Sequence, residues 1–255
     1  MIPLDDRGFT LGDGLFETVL ADQGALRRLD AHLDRLSAGC VALGLPAPDR
    51  ALAEALMRQA LEDTGLAGVR AAVRLTLTAG SGGRGLDRPD APSPRLAAAA
   101  APAPRPLAPA RLVTAKVRRN DHSPASRLKT LSYLDNVLAR TEAREAGADE
   151  ALILNTRGEL ACAAAANIFW VADGRLFTPA LECGVLAGVT RARVFAAAPA
   201  LGLQVEAVRA GLDALERAEA VFLTNALIGV RTVESIDGRA FAPSPLVDRL
   251  AIAIQ

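Results

Sequence analysis

Apolar and polar positions change period several times along this chain, and each change marks an element. Residues 14–21 (Gly-Leu-Phe-Glu-Thr-Val-Leu-Ala) read as a strand, turned by Asp22-Gln23-Gly24 into a second short strand. Asp30 is placed to N-cap a helix through about Leu43, where Gly44 and Pro46 are stop signals. A second helix runs from about Asp49 to Glu62, Val69–Thr78 is β-rich, and Gly80-Ser81-Gly82-Gly83-Arg84-Gly85 is a loop. Residues 97–110 are almost wholly Ala and Pro and fit an edge strand followed by an interdomain linker.

The second half opens on a strand, Leu112–Val117, and a loop around Lys129 that gives way to a helix from about Leu131 to Glu145. Strands follow near 151–155, 159–163, 167–172 and 175–178, with Arg157-Gly158 and Asp173-Gly174 as hairpin turns. Gly188-Val189-Thr190 opens a helix to about Leu201. A strand (203–208), a short helix (211–217), the strand Ala220–Thr224 and a final hairpin complete the chain. No internal repeat is present. The pattern is α+β, in two segments of roughly 110 and 140 residues.

Composition narrows the function classes. An apolar content of 51% with 23% charged residues describes a soluble globular protein. The formal net charge is zero, which removes the electrostatic footprint of a nucleic-acid or acidic-membrane binder. Aromatic residues make up 4%, too few for a base-stacking platform. Cys40, Cys162 and Cys183 are odd in number, far apart and without Cys-x-x-Cys spacing, which disfavours a disulfide framework and a zinc site. The N-terminus lacks the basic and apolar regions of a signal peptide, and no apolar run approaches a membrane span. The expected location is the cytoplasm.

One bias carries chemistry. Of 29 basic residues only Lys116 and Lys129 are lysine. Arginine replaces lysine wherever a solvated charge suffices, but guanidinium stays protonated, whereas an amine can lose its proton and attack a carbonyl. A retained lysine is therefore a candidate nucleophile, or simply a chance survivor. Lys116 lies on an alternating strand that leads to a basic turn. Lys129 sits at the mouth of a helix, after a loop containing Pro124, and loops on a rigid scaffold often carry active groups. Lys129 is the better candidate.

Other constellations are weaker. The Gly80–Gly85 loop follows a strand, but no helix or lysine follows it in the manner of a phosphate loop, so it reads as a flexible hairpin. Gly188-Val189-Thr190 is either a plain helix cap or an anion site made of N–H groups and a threonine hydroxyl. His32, on an amphipathic helix, and His122, in a polar loop, have no nucleophile elbow near them and read as structural or surface residues.

Taken together, six stretches resemble the class IV, fold-type IV pyridoxal-phosphate enzymes, which include branched-chain and D-amino acid aminotransferases and 4-amino-4-deoxychorismate lyase. They are Asp6–Thr18 (Asp-Arg-Gly-Phe-Thr-Leu-Gly-Asp-Gly-Leu-Phe-Glu-Thr), His32–Leu36, Leu128–Ala139, Ala165–Trp170, Leu186–Arg191 and Thr224–Leu227. Their order and spacing agree over nearly the whole chain. The resemblance implies a smaller N-terminal α/β domain (1–105), a linker (106–112) and a larger, β-rich, cofactor-binding domain (113–255), with the cofactor at the domain interface and a homodimer as the usual assembly.

It also implies roles. Lys129 matches the lysine that holds pyridoxal 5'-phosphate as a Schiff base and moves protons. Arg35, Gly188, Val189 and Thr190 match the phosphate cup, with Thr224, Asn225 and Ala226. Phe16 stands where some members use a tyrosine, and Arg84 in the glycine loop becomes a candidate for a substrate carboxylate. No metal is implied.

Departures from the family pattern bear on activity. Five residues before Asn167, where the family places a glutamate against the pyridine nitrogen, this chain has Cys162. Glu159 is three residues earlier and, on a regular strand, faces the other way. A neutral thiol is a weak hydrogen-bond partner, which makes the cofactor a poorer electron sink. Ala79 stands where D-amino acid aminotransferases carry an arginine. The start lacks the family's usual first strand, as a truncated or alternative initiation would. The Cys-Ala-x-x-Ala-Asn-Ile-Phe-Trp and Asn-Ala-Leu stretches look like the lyase branch. The leading expectation is therefore pyruvate elimination giving 4-aminobenzoate, with an amino acid aminotransferase as the alternative and a non-catalytic cofactor-binding protein as a further one.

Overall fold

The structure, a computed structural model, describes residues 2–105 and 108–254. The chain divides into two compact units: Met1–Arg105 with Leu128–Ser132, and Pro106–Arg127 with Tyr133–Gln255. Residues 106–107 of the expected linker lie outside the described residues.

The first unit begins with a five-residue helix α1 (Arg7–Leu11) and continues with strands β1 (Gly14–Asp22) and β2 (Ala25–Leu26). Helices α2 (Leu29–Leu43) and α3 (Arg50–Asp63) follow, then β3 (Ala71–Thr78) and β4 (Arg95–Pro102). The strands form one antiparallel sheet in the order β2-β1-β3-β4. The alanine-rich β4 is its edge strand. Strand alternation turns Leu15, Val19 and Ala21 of β1, with Val73, Leu75 and Leu77, toward a core shared with Leu33, Leu36 and Cys40 of α2 and with Ala53 and Met57 of α3.

Asp49 caps α3, accepting from the Ala51 and Leu52 N–H groups. Asp30 does not cap α2. That helix starts two residues earlier than such a cap would place it, after Arg28 in a left-handed conformation (φ 55°), and the Asp30 carboxylate instead pairs with Arg50 at 3.0 Å.

In the second unit come β5 (Ala110–Arg119), α4 (Leu134–Glu145), β6 (Glu150–Asn155), β7 (Leu160–Ala163), β8 (Asn167–Ala172) and β9 (Arg175–Pro179). They continue with α5 (Val189–Ala197), β10 (Val205–Val208), α6 (Asp213–Glu216), β11 (Ala220–Asn225), β12 (Gly229–Ile236), β13 (Arg239–Ala240) and α7 (Pro245–Ala253). Ala110–Leu112, expected in the linker, thus open a strand. A nine-stranded mixed sheet runs β10-β9-β8-β11-β12-β5-β6-β7, with β13 paired to β12.

Strands β6, β7 and β8 are buried along both faces, which explains their almost unbroken apolar sequences. An alanine-rich layer beneath α4 joins Ala139 and Ala143 to Ala115, Ala151, Ile153 and Cys162. A second layer packs Val194 of α5 and Val247 and Leu250 of α7 on Phe169 and Phe222, whose rings stack 5.0 Å apart.

Two further boundaries differ from the pattern. Helix α4 begins at Leu134 rather than Leu131; Leu131 still belongs to the pairing with β1, its N–H donating to the Gly14 carbonyl at 3.0 Å. The chain also continues past the final hairpin into α7, which has Pro245 at its first turn. Among the described residues no helix is long and apolar enough to cross a membrane.

Candidate active site

Lys129 belongs to the first unit, held there by its backbone. The Phe16 N–H donates to the Lys129 carbonyl at 2.9 Å, and Leu15 and Thr130 face each other in an antiparallel bridge. Side chains alternate across such a pairing, so Leu15 and Thr130 share one face and Phe16 and Lys129 the other. The Lys129 Nζ stands 4.2 Å from the centroid of the Phe16 ring, and the Arg74 guanidinium lies 3.6 Å from the same centroid. Phe16 is buried while Lys129 is half-buried. A cation over an aromatic face is attracted by the ring quadrupole. The amine is thereby kept on a defined side of β1. Lys116, by contrast, is an exposed residue of β5.

Arg35 lies on α2, on the opposite side of β1 from Lys129. Its Nε and Nη2 donate to Glu17 Oε1 and Oε2, each at 2.7 Å, and His32 Nδ1 stands 2.7 Å from Glu17 Oε2. Glu17 and His32 are each 1% exposed. Burial by itself pushes the Glu17 carboxyl up, but the bonds from His32 and Arg35 outweigh it and hold the group below the usual carboxylate range. Sequence reasoning did not single out Glu17, and read His32 as structural or surface. A carboxylate among the apolar, core-facing positions of β1 was the available signal. His122 is exposed, 3.9 Å from Asp121.

In the second unit, Gly188 is the N-cap of α5, with no side-chain cap bond. Its backbone passes so close to Asn167 that an added Cβ would lie 2.0 Å from Asn167 Oδ1. Asn167 is in turn fixed by donating its Nδ2 to the Leu186 carbonyl at 3.0 Å. Thr190, the second residue of the helix, is buried in its first turn. The neighbouring Arg191 is 8% exposed and donates Nη2 to the Pro179 carbonyl at 3.1 Å, and burial lowers its pKa. Its Nε has no hydrogen-bond partner.

Thr224, the penultimate residue of β11, pairs with Asn167, and its buried Oγ1 also lacks a partner. Asn225 spends its side chain on the turn, accepting from the Leu227 and Ile228 N–H groups at 2.9 Å and donating to the Ala165 carbonyl at 2.9 Å. An orphaned hydroxyl, a glycine held against an asparagine and an uncapped helix start fit an anionic group such as a phosphate.

Cys162 is buried on β7 opposite Ile153. Burial pushes its thiol up, with Arg119 opposing and Glu150 adding to the shift. Glu159 is engaged elsewhere, with Asn155 Nδ2 at 2.7 Å and Arg209 Nε and Nη2 at 2.9 and 2.7 Å. It is therefore no substitute for a carboxylate at position 162.

The glycine loop is more ordered than its composition suggests. Arg7 donates to the carbonyls of Leu86 and Asp87 at 2.9 Å, and more weakly to Gly85 and Gly82 at 3.4 and 3.5 Å. Its Nε pairs with Asp13 at 2.9 Å, and Asp13 also binds Arg88. A Cβ on Gly83 would lie 2.1 Å from the Asp87 carbonyl oxygen. Arg84 itself is exposed, bridged to Asp87.

Comparison with known proteins identifies the family. The family model described as amino-transferase class IV matches residues 14–236. A provisionally named branched-chain-amino-acid aminotransferase of Methanocaldococcus jannaschii is 34% identical over 92% of this chain and 82% of its own length. An aminodeoxychorismate lyase of Vibrio harveyi is 28% identical, over 97% and 90%. The crystal structure of 4-amino-4-deoxychorismate lyase from Pseudomonas aeruginosa superposes with a TM-score of 0.89 at 31% identity, covering 98% of this chain and 93% of that one.

Proposed function

The chain belongs to the class IV aminotransferase family of pyridoxal-phosphate enzymes, and from that membership we propose that it is a lyase of the aminodeoxychorismate type, eliminating pyruvate to leave 4-aminobenzoate. The observation that carries this reading is Cys162, a buried thiol where the family pattern has a glutamate. Burial raises its pKa, so at neutral pH it holds its proton and offers no negative charge.

What the cofactor supplies when bound is a carbonyl that condenses with amines and a conjugated ring that withdraws electrons from the substrate. The ring's capacity is tuned by the group facing its nitrogen, the role we assign to Cys162. A transaminase draws most heavily on that capacity, so a neutral thiol disfavours transamination most.

We assign Lys129 Nζ as the covalent anchor and as the atom that moves the proton, with Phe16 fixing the side of β1 on which it works. Arg35 is assigned to the phosphate. So are the N–H groups at Gly188, Val189 and Thr190, together with the Thr224 hydroxyl and the Asn225-Ala226 backbone. Arg84 is assigned to a substrate carboxylate and takes its position from the loop that Arg7 shapes.

The second reading, an amino acid aminotransferase, is favoured by the 34% identity to the Methanocaldococcus jannaschii relative. Incubation of the holoenzyme with aminodeoxychorismate, beside a panel of D- and L-amino acids with 2-oxoglutarate, separates the two. Pyruvate and 4-aminobenzoate release without amino transfer is the expected result. Amino transfer without pyruvate release would replace the lyase reading with the second.

A further inference from the structure

Strand β1 presents Leu15, Glu17, Val19 and Ala21 to α2 by simple alternation, and three of these four are apolar core residues. Glu17 is the exception, a carboxylate 1% exposed in that layer. A buried carboxylate is costly unless it is paired and fully hydrogen-bonded. Here both oxygens are satisfied by two residues one turn apart on α2: Arg35 through Nε and Nη2, and His32 through Nδ1, all at 2.7 Å.

The geometry of this cluster is directional. A carboxylate that takes Nε and one Nη2 hydrogen occupies one edge of the guanidinium plane, so the Nη1 edge must point away from it. Two parallel bonds also fix the plane against rotation, which a single bond would not do. His32 holds the second carboxylate oxygen and restricts the carboxylate's own rotation. The Arg35 side chain is 18% exposed against 1% for Glu17, so the cluster runs from a buried anchor to a more exposed cation.

We propose that Glu17, backed by His32, is a positioning residue that aims the Arg35 guanidinium at the cofactor's phosphate, an inference that rests on the reading of Arg35 as a phosphate ligand. Charge alone argues the other way. Glu17 is an anion beside the cation that receives a dianionic phosphate, so on Coulomb's law its removal would tighten phosphate binding. Positioning predicts the opposite sign, because an arginine that has lost this fork must be re-oriented on every binding event. The two effects are therefore separable by the direction of one measurement.

The test uses the apo-protein titrated, by the absorbance of the bound chromophore, with pyridoxal phosphate and with pyridoxal, which lacks the phosphate. Glu17→Gln cannot reproduce the fork, since in either orientation its amide nitrogen faces one of the two Arg35 donors, Nε or Nη2. It is expected to weaken pyridoxal-phosphate affinity about tenfold, the scale of a charge-assisted hydrogen bond, and to leave pyridoxal affinity unchanged. Glu17→Asp, which keeps the charge but shortens the reach, is expected to show the same selective loss and serves if the glutamine variant misfolds. Arg35→Met calibrates the experiment.

Selective loss in Arg35→Met with equal or tighter pyridoxal-phosphate binding in the Glu17 variants overturns the positioning role. Equal loss toward both ligands in the Glu17 variants overturns it in favour of general destabilisation. No selective loss in Arg35→Met removes the phosphate reading of Arg35 itself, and the inference with it.

Discussion

Replacing Arg7 by methionine isolates what one guanidinium does for the glycine loop. The substitution keeps most of the apolar stem and removes every donor. Three contacts at 2.9 Å are lost, to Asp13, the Leu86 carbonyl and the Asp87 carbonyl, along with the longer ones to Gly82 and Gly85. Asp13 retains Arg88, so its carboxylate is not left alone. Leu86 and Asp87 are exposed, so water can reach their carbonyls once the donors are gone. Only the two short carbonyl bonds are therefore counted in full. At the low end for hydrogen bonds to a charged group, about 1.5 kcal/mol each, the expected destabilisation is about 3 kcal/mol.

Arg7→Lys keeps the charge but has one nitrogen instead of a fork, so it recovers the Asp13 pairing and little of the loop. Urea unfolding measures the stability loss, and limited proteolysis within residues 81–87 measures loop order. Cleavage is expected to accelerate in both variants. A methionine variant with the parent's urea midpoint and the parent's cleavage rate would refute the reasoning, and the loop would then be shaped by its own glycines.

Three other outcomes are expected. Borohydride reduction of the holoenzyme labels Lys129 and not Lys116 on peptide mapping, and Lys129→Arg abolishes turnover because a guanidinium stays protonated. Cys162→Glu increases transamination more than it changes elimination, and a variant with unaltered rates for both would remove position 162 from the chemistry. Asp121, bonded to the Thr156 hydroxyl and then to Arg157, has its pKa lowered from 3.8 to about 2. A depressed folded-state pKa contributes stability above the unfolded value that is lost as pH falls through the folded one, so acid unfolding should soften between those values in the parent and not in Asp121→Asn.

Much of the fold is legible from alternation and punctuation. The turns at Asp173-Gly174 and Arg157-Gly158 and the alanine-rich edge strand appear where local rules place them. The misreadings have a common cause. Apolar spacing puts the start of α4 at Leu131, three residues early, whereas Leu131 pairs with Gly14, more than a hundred positions away in sequence. Such partners leave no local trace. The candidate lysine was visible because arginine had displaced its equivalents elsewhere. Its setting was not: the ring of Phe16 beneath it and the Glu17–His32 anchor on the other face of β1 follow from strand pairing and helix packing. Arg7 lies within a motif, but nothing in that motif says which carbonyls it gathers.

The five residues Leu128–Ser132 group with the first unit, while the chain on either side of them groups with the second. The units are therefore not interchangeable modules in a genetic sense. A crossover between related genes near residue 105 would inherit β1 from one parent and its Lys129-bearing neighbour from the other. The two would have to rebuild the Phe16–Lys129 and Leu131–Gly14 bonds between sequences that never co-evolved. A fragment ending at Arg105 likewise lacks the segment that closes this edge of β1, and the shortest contiguous piece that includes it must carry β5 as well. Recombination that keeps β1 and the lysine's segment from one parent is confined to breakpoints before Gly14 or beyond Ser132.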